Sequence, residues 1–225
     1  HMSLIKKVIK NFDTLFLRGL VQQSIERFRA TRARLKLNNR LASEISIYYE
    51  NTEPNPLTKL FDFYGSDKGA VNKKHKNYDW APHLYSDYYW FLFREEKKRE
   101  LVKKVLECGI GTNNPQLASS MGANGNPGAS LRAWRDFFPN ADVYGVDIDR
   151  NVLFKEQRIS TYYVDQRDRR SIKDCLKEMN VTNFDLIIDD GLHYFEAGIP
   201  LLEECFRYLQ KTGLYIIEDV AQRDI

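Results

Sequence analysis

Short apolar runs that stop on acids or glycines recur through the second half of the chain. Val105-Leu106-Glu107-Cys108, Asp142–Asp147, Arg158–Val164, Phe184–Asp189 and Gly213–Ile217 each have the length and composition of a buried strand. Between them, Ser130–Phe138, Ser171–Met179 and Ile199–Leu209 carry apolar residues at helical spacing, with Cys175 and Leu176 facing inward. Glu95–Lys104 reads as a charged helix end. Strands alternating with helices predict a mostly parallel α/β sheet with helices on both faces.

The first part of the chain has a different pattern. Leu4, Ile5, Val8, Ile9, Phe12, Leu15 and Phe16 recur at helical spacing, and Arg27, Arg29, Arg32, Arg34, Lys36 and Arg40 follow. This predicts a basic helical arm over residues 1–56, closed by the breaker segment Asn51-Thr52-Glu53-Pro54-Asn55-Pro56. Such an arm packs on its own domain or a second subunit, or lies against an anionic partner. Residues 57–93 are rich in aromatics, Phe61, Tyr64, Tyr85, Tyr89 and Trp90 among them. They are expected to form a partly irregular stretch over the top of the sheet.

Composition narrows the class. With 225 residues, 43% of them hydrophobic, there is room for one sizeable domain, here 57–225, and an appendage. A net charge of +3 is too small to argue for nucleic acid. The three cysteines, Cys108, Cys175 and Cys205, lack CxxC spacing and read as reduced thiols. No apolar run approaches the ~20 residues of a membrane span, and no signal peptide is visible. The chain is expected to be cytoplasmic, with His1-Met2 left from an expression tag.

The chemistry lies where the apolar runs end. Phe184–His193 reads Phe-Asp-Leu-Ile-Ile-Asp-Asp-Gly-Leu-His, and Leu214–Asp219 reads Leu-Tyr-Ile-Ile-Glu-Asp. Ligands of open α/β sheets bind at the carboxyl ends of the strands. Two neighbouring strands ending this way bring Asp190, Glu218 and Asp219 together, with His193 three residues beyond the first acid. Three carboxylates suit a hard cation such as Mg²⁺ or Mn²⁺, and an imidazole suits a general base. Singly, acids at strand ends also serve as helix caps or loop residues.

At the first strand, Glu107-Cys108-Gly109-Ile110-Gly111 makes a glycine turn, but position 114 is Asn rather than the third glycine of a dinucleotide fingerprint. That argues against an NAD-binding dehydrogenase. Asp147 ends the second strand, where an acid accepts ribose hydroxyls. Asp165 and Gln166 follow the third, within reach of an adenine. A glycine turn without a pyrophosphate signature, plus a ribose acid, fits S-adenosylmethionine.

The ordered series Tyr64-Gly-Ser-Asp-Lys-Gly69, Val105–Gly111, Gly128–Trp134, Phe138–Ala141, Tyr144–Asp147, Asp165-Gln166, Ile188–His193 and Gly213–Asp219 resembles the class I S-adenosylmethionine-dependent methyltransferases. More narrowly, it resembles the metal-dependent sugar O-methyltransferases typified by the macrocin and mycinamicin enzymes, which have relatives in bacterial capsule clusters. The resemblance spans roughly residues 60–220 and implies a Rossmann-like fold. It implies metal ligation by Asp190, Glu218 and Asp219, with His193 and Asp190 catalytic. It implies cofactor contacts from Glu107, Gly109, Gly111, Ser130, Asp147, Asp165, Gln166 and Asp189, and a segment over the cofactor carrying Asp67 and Lys68. Leu192 departs from the pattern, which has a small serine there. The acceptor implied is a sugar, expected as a nucleotide-linked sugar for a surface polysaccharide or a glycoside. A hydroxylase-like enzyme of the same fold, or a non-catalytic cofactor-binding scaffold, are the alternatives. The resembled fold continues past the fifth strand through a helix and an antiparallel strand pair, whereas the chain ends six residues after Asp219. The fifth strand is therefore expected as an edge, covered by the arm or by a second subunit.

Overall fold

The computed structural model describes residues 53–70 and 80–220. Residues 1–52, which hold nearly all of the expected arm, lie outside them. Helices α1 (Pro56–Tyr64), α2 (Tyr85–Phe93) and α3 (Glu96–Leu101) come first. Then follow β1 (Lys104–Cys108), α4 (Ala129–Phe137), β2 (Asp142–Asp147), β3 (Lys155–Glu156), β4 (Ile159–Tyr163), α5 (Arg169–Met179), β5 (Phe184–Asp189), α6 (Phe195–Cys205) and β6 (Leu209–Ile217).

The six strands form one sheet in the order β3-β4-β2-β1-β5-β6, parallel throughout except for the β3–β4 pair. The expected fold class stands, with three differences of detail. A two-residue strand, β3, pairs antiparallel with β4 through Arg158, whose φ of 59° is left-handed; a pair this short leaves no periodic signal. β6 begins at Leu209 rather than Gly213, directly after a 3₁₀ turn over Phe206–Tyr208. α6 begins at Phe195, four residues before the expected Ile199, and carries Pro200 in its second turn, where the missing N–H forfeits a helical hydrogen bond.

Period-two alternation sends successive strand residues to opposite faces. Val105, Val143, Leu186 and Ile188 pack into one core cluster, while Leu106, Cys108, Val146 and Ile187 pack into the other. On the first face Trp134 of α4 is fully buried, edge-on to Phe61 of α1 at 4.9 Å and to Tyr89 of α2 at 4.7 Å. The aromatic stretch is thus more regular than expected, since two nine-residue helices from it build this face. The second face is closed by Ile172, Cys175 and Leu176 of α5 and by Leu201 and Cys205 of α6. All three cysteines are buried and unbridged.

The five parallel strands end on one edge of the sheet. Successive connections run outward from β1 to β2 and β4 on one side, and β5 and β6 lie on the other. The reversal opens a crevice between the ends of β1 and β5, the switch point where ligands of such sheets bind. β6 pairs with β5 alone among the described strands. No helix among the described residues is long and apolar enough to cross a membrane.

Candidate active site

Gly109 turns the chain out of β1 with φ at 87°, and its N–H donates to the Val146 carbonyl at 2.9 Å. The Asp190 N–H donates to the Cys108 carbonyl at 2.9 Å. The first bond ties the turn to β2, and the second draws the loops after β1 and β5 together. A Cβ on Gly109 would stand 2.0 Å from the Asp190 carbonyl oxygen, so only glycine fits. The turn is also tied to β2, because Asp147 accepts from the Ile110 N–H at 3.0 Å and from the Asp149 N–H at 2.9 Å. Each carboxylate oxygen keeps a further acceptor position.

A cavity of about 270 Å³ opens over this turn. Gly109, Gly111, Ser130 and Asp147 line one part of it, and Asp67, Lys68, Asp190, His193 and Asp219 another. Asp165 and Gln166 lie in an adjoining hollow that shares Gly109, Asp147 and Gly191 with the first. Most of the residues expected at the cofactor therefore gather around one glycine turn. Three sit differently. Glu107 is fully buried beneath the cavity, where it accepts from the Trp134 indole at 3.0 Å. The Gln166 amide is engaged at both ends, donating to Asp189 at 2.6 Å and accepting from the Leu192 N–H at 2.9 Å. Asp189 faces a third hollow beneath α6, where its other oxygen has no partner.

The acids beyond β5 and β6 do converge, around partners that the sequence pattern left unassigned. Asp190 Oδ1 meets His193 Nε2 at 3.2 Å, and Asp219 Oδ2 lies 3.6 Å from the same nitrogen. One ligand atom from each of Asp190, His193 and Asp219 lies within 4.8 Å of the others, close enough to share one cation. His193 and Asp219 both adopt left-handed backbone, φ 56° and 51°, which turns each side chain back over its strand end. Glu218 is directed away from this trio. Its carboxylate takes the Lys68 ammonium and the Tyr89 hydroxyl, the latter at 2.5 Å. The Tyr85 hydroxyl holds Asp219 at 2.5 Å. Tyr85 and Tyr89 are four apart on α2 and so share a face; that spacing was the available sequence signal for both.

Lys68 is placed by its backbone. The His83 N–H donates to the Asp67 carbonyl and the Ser86 N–H to the Lys68 carbonyl, each at 2.9 Å. Its side chain, 3% exposed, contacts Asp190 and Glu218 and lies 3.5 Å from Glu107. Burial alone would strip its proton, but the charges of Asp190, Glu218 and Glu107 hold its pKa well above the ordinary lysine value. Burial pushes the Glu107 carboxyl up to about 7 against the opposing pull of Lys68. Burial likewise raises Glu218, which the Asp190 and Glu107 charges push further. For Asp190, burial is outweighed by Lys68 and His193, and its pKa falls below the usual carboxylate range. Burial tends to lower His193, yet the bond to Asp190 and the charges of Asp190 and Asp219 leave it raised.

These shifts give a stability prediction for the metal-free protein. A carboxyl whose pKa is raised by folding keeps a proton that the unfolded chain releases, so the native state loses ground as pH climbs from the ordinary carboxylate range through the folded pKa. Glu107 at about 7, Glu218 at about 8 and Asp189 at about 6 all act in this direction. The midpoint of thermal unfolding is expected to fall between pH 5 and pH 8, and Glu107→Gln should flatten the decline. A midpoint that rises over this range contradicts the assignment.

No protein-family model matches the chain. Demethylmacrocin O-methyltransferase of Streptomyces fradiae is 36% identical over 141 residues, which are 61% of this chain and 32% of that protein. L-olivosyl-oleandolide 3-O-methyltransferase of Streptomyces antibioticus is 31% identical over 181 residues, 79% of this chain and 40% of that protein. These relatives of the chain are all named as O-methyltransferases, two of them of a rhamnosyl tetracenomycin and an L-olivosyl-oleandolide. A solved structure agrees: the MycE methyltransferase of the mycinamycin biosynthetic pathway, in complex with Mg and SAH, superposes with a TM-score of 0.56 at 28% identity, over 75% of this chain and 40% of that one. The described domain therefore has the Rossmann-like fold of this methyltransferase. The chain spans about a third to two fifths of the length of the relatives it matches.

Proposed function

We propose that the protein transfers a methyl group from S-adenosylmethionine to a sugar hydroxyl with the help of a divalent cation. The observation that carries this reading is the convergence of Asp190, His193 and Asp219 within one cavity beside the Gly109 turn. The residues fit both groups. Glycine at 109 leaves room that a Cβ would fill, beside an acid at the end of β2. Carboxylates with one imidazole form a donor set for Mg²⁺ or Mn²⁺. The MycE structure contains Mg and SAH, and a second structure of that enzyme also contains mycinamycin VI.

S-adenosylmethionine supplies an electrophilic methyl group, and the cation supplies positive charge that favours the ionised acceptor. The rest falls to the chain's own side chains. Gly109, Ser130 and Asp147 line the place for the nucleoside and amino-acid parts. Asp190 and Asp219 would hold the cation, with His193 beside them. Methyl transfer is an in-line displacement: an oxygen lone pair forms the C–O bond as the C–S bond breaks, which demands close alignment. The hydroxyl proton passes to His193, held by Asp190 at 3.2 Å so that one ring nitrogen is oriented.

The names of the relatives speak for a sugar carried on an antibiotic scaffold. They give no support to the nucleotide-linked or capsular acceptor expected from the sequence. The test is incubation with labelled S-adenosylmethionine, Mg²⁺ and a panel of antibiotic glycosides and nucleotide-activated sugars, followed by mass spectrometry. A single methyl increment on a glycoside, abolished by excess chelator, is the expected result. Full turnover in chelator removes the metal from the mechanism, and a product only from nucleotide sugars overturns the acceptor class.

A further inference from the structure

The ammonium of Lys68 occupies the kind of place the sequence pattern reserved for a metal ion. It contacts Asp190 and Glu218, with Glu107 at 3.5 Å, and it is 2% exposed overall. The Tyr85 ring lies 6.0 Å from it, and the backbone on either side is hydrogen-bonded to residues 83 and 86. This is an internal cation fixed by the fold.

Asp190 is the shared element. One of its oxygens goes to Lys68 and the other faces His193. A divalent ion bound by the trio of Asp190, His193 and Asp219 would draw on a carboxylate that already serves an ammonium. Two like charges on one carboxylate repel each other, and the ammonium, buried as it is, is poorly screened by water. We propose that Lys68 is a positioning residue that competes with the divalent ion for Asp190 and Glu218. It holds both acids in place when no ion is bound, and it weakens the ion's grip when one is. Glu218 is thereby kept as the ammonium's partner, while His193 shares the candidate ion site with Asp190 and Asp219. The inference rests on the metal-assisted reading above.

Removing a purely structural lysine would disorder the acids and weaken ion binding, so the two roles predict opposite signs. Mn²⁺ binding is measured by the loss of its free electron paramagnetic resonance signal, without methyl donor or acceptor. Lys68→Met is expected to bind Mn²⁺ about tenfold more tightly than the wild type, and Lys68→Arg, which keeps the charge, to stay near the wild-type value. Equal or weaker binding by Lys68→Met overturns the role of Lys68 and leaves the metal-assisted reading intact. Absence of binding by both proteins overturns both.

Leaving three acids without their cation can prevent Lys68→Met from folding. The double variant K68M/E107Q, which removes the ammonium together with one buried carboxylate, then takes its place with the same expected direction. A wild-type measurement stands beside them. In protein carrying ¹³C at the lysine ε-carbons, Mn²⁺ should broaden the Lys68 signal while Lys104, at the opposite end of β1, stays sharp. A sharp Lys68 signal at saturating Mn²⁺ places the ion elsewhere and overturns the competition.

Discussion

Replacing His193 by alanine is expected to lower the turnover of methyl transfer by roughly two to four orders of magnitude, the usual weight of a positioned general base. A neutral sugar hydroxyl is a poor nucleophile, and the attacking oxygen must shed its proton as the C–O bond forms. Among the described residues, His193 is the one imidazole beside both Asp190, at 3.2 Å, and Asp219, at 3.6 Å. Its neighbour His83 lies 3.6 Å from the other Asp219 oxygen and is an alternative acceptor only if the substrate sits on that side. The geometry also lets His193 serve as a ligand, and one further measurement separates the roles. If turnover falls while Mn²⁺ affinity is unchanged, His193 acts as the base. If both fall together, it holds the ion. Turnover within tenfold of the wild type removes it from the reaction altogether.

The second large effect is expected at Gly109. Alanine there is asked to adopt φ of 87°, which costs an L-residue about 1–2 kcal/mol. Its Cβ would also press on the Asp190 carbonyl at 2.0 Å and the Gly191 Cα at 2.8 Å. Both contacts are backbone, so relief requires the loops after β1 and β5 to separate, and that breaks the bond from the Asp190 N–H to Cys108. Gly109→Ala should therefore weaken S-adenosylmethionine binding at least tenfold and lower the unfolding midpoint. Gly122→Ala is the control: φ there is 76°, but nothing lies within 4 Å of the added Cβ, so it bears the backbone strain alone. Equal behaviour of the two variants in thermal unfolding and calorimetric titration would show that the close approach at Gly109 is unimportant.

The glycine turn was legible because it depends on residues next to one another. An apolar run, then Gly-Ile-Gly, fixes a strand and a turn by local sterics. The acids were legible for the same reason, since Asp190 and Asp219 each follow a strand whose end is set by where the apolar residues stop, although only β5 of the two is buried. Lys68 was not. It lies 122 residues from Asp190 and 150 from Glu218, in a segment that the family resemblance implied to lie over the cofactor. Whether its ammonium reaches the acids depends on how α1 and α2 pack on the sheet, and no periodicity encodes that. Gln166 shows the same limit: its position after β4 was foreseen, while its engagement by Asp189 and Leu192 depends on the spacing between two loops.

The succession of apolar runs and helically spaced segments by itself determined a parallel sheet, its two packed faces and the edge at which chemistry gathers, because side-chain period and strand length are local properties. Only the tertiary structure decided which charges meet on that edge. Asp190 stands between a buried ammonium and an imidazole, while Glu218 turns from the expected ion toward Lys68 and Tyr89. Coulomb energies in a desolvated site depend on a few ångströms of separation, and those separations are fixed by helices that arrive from the far end of the chain.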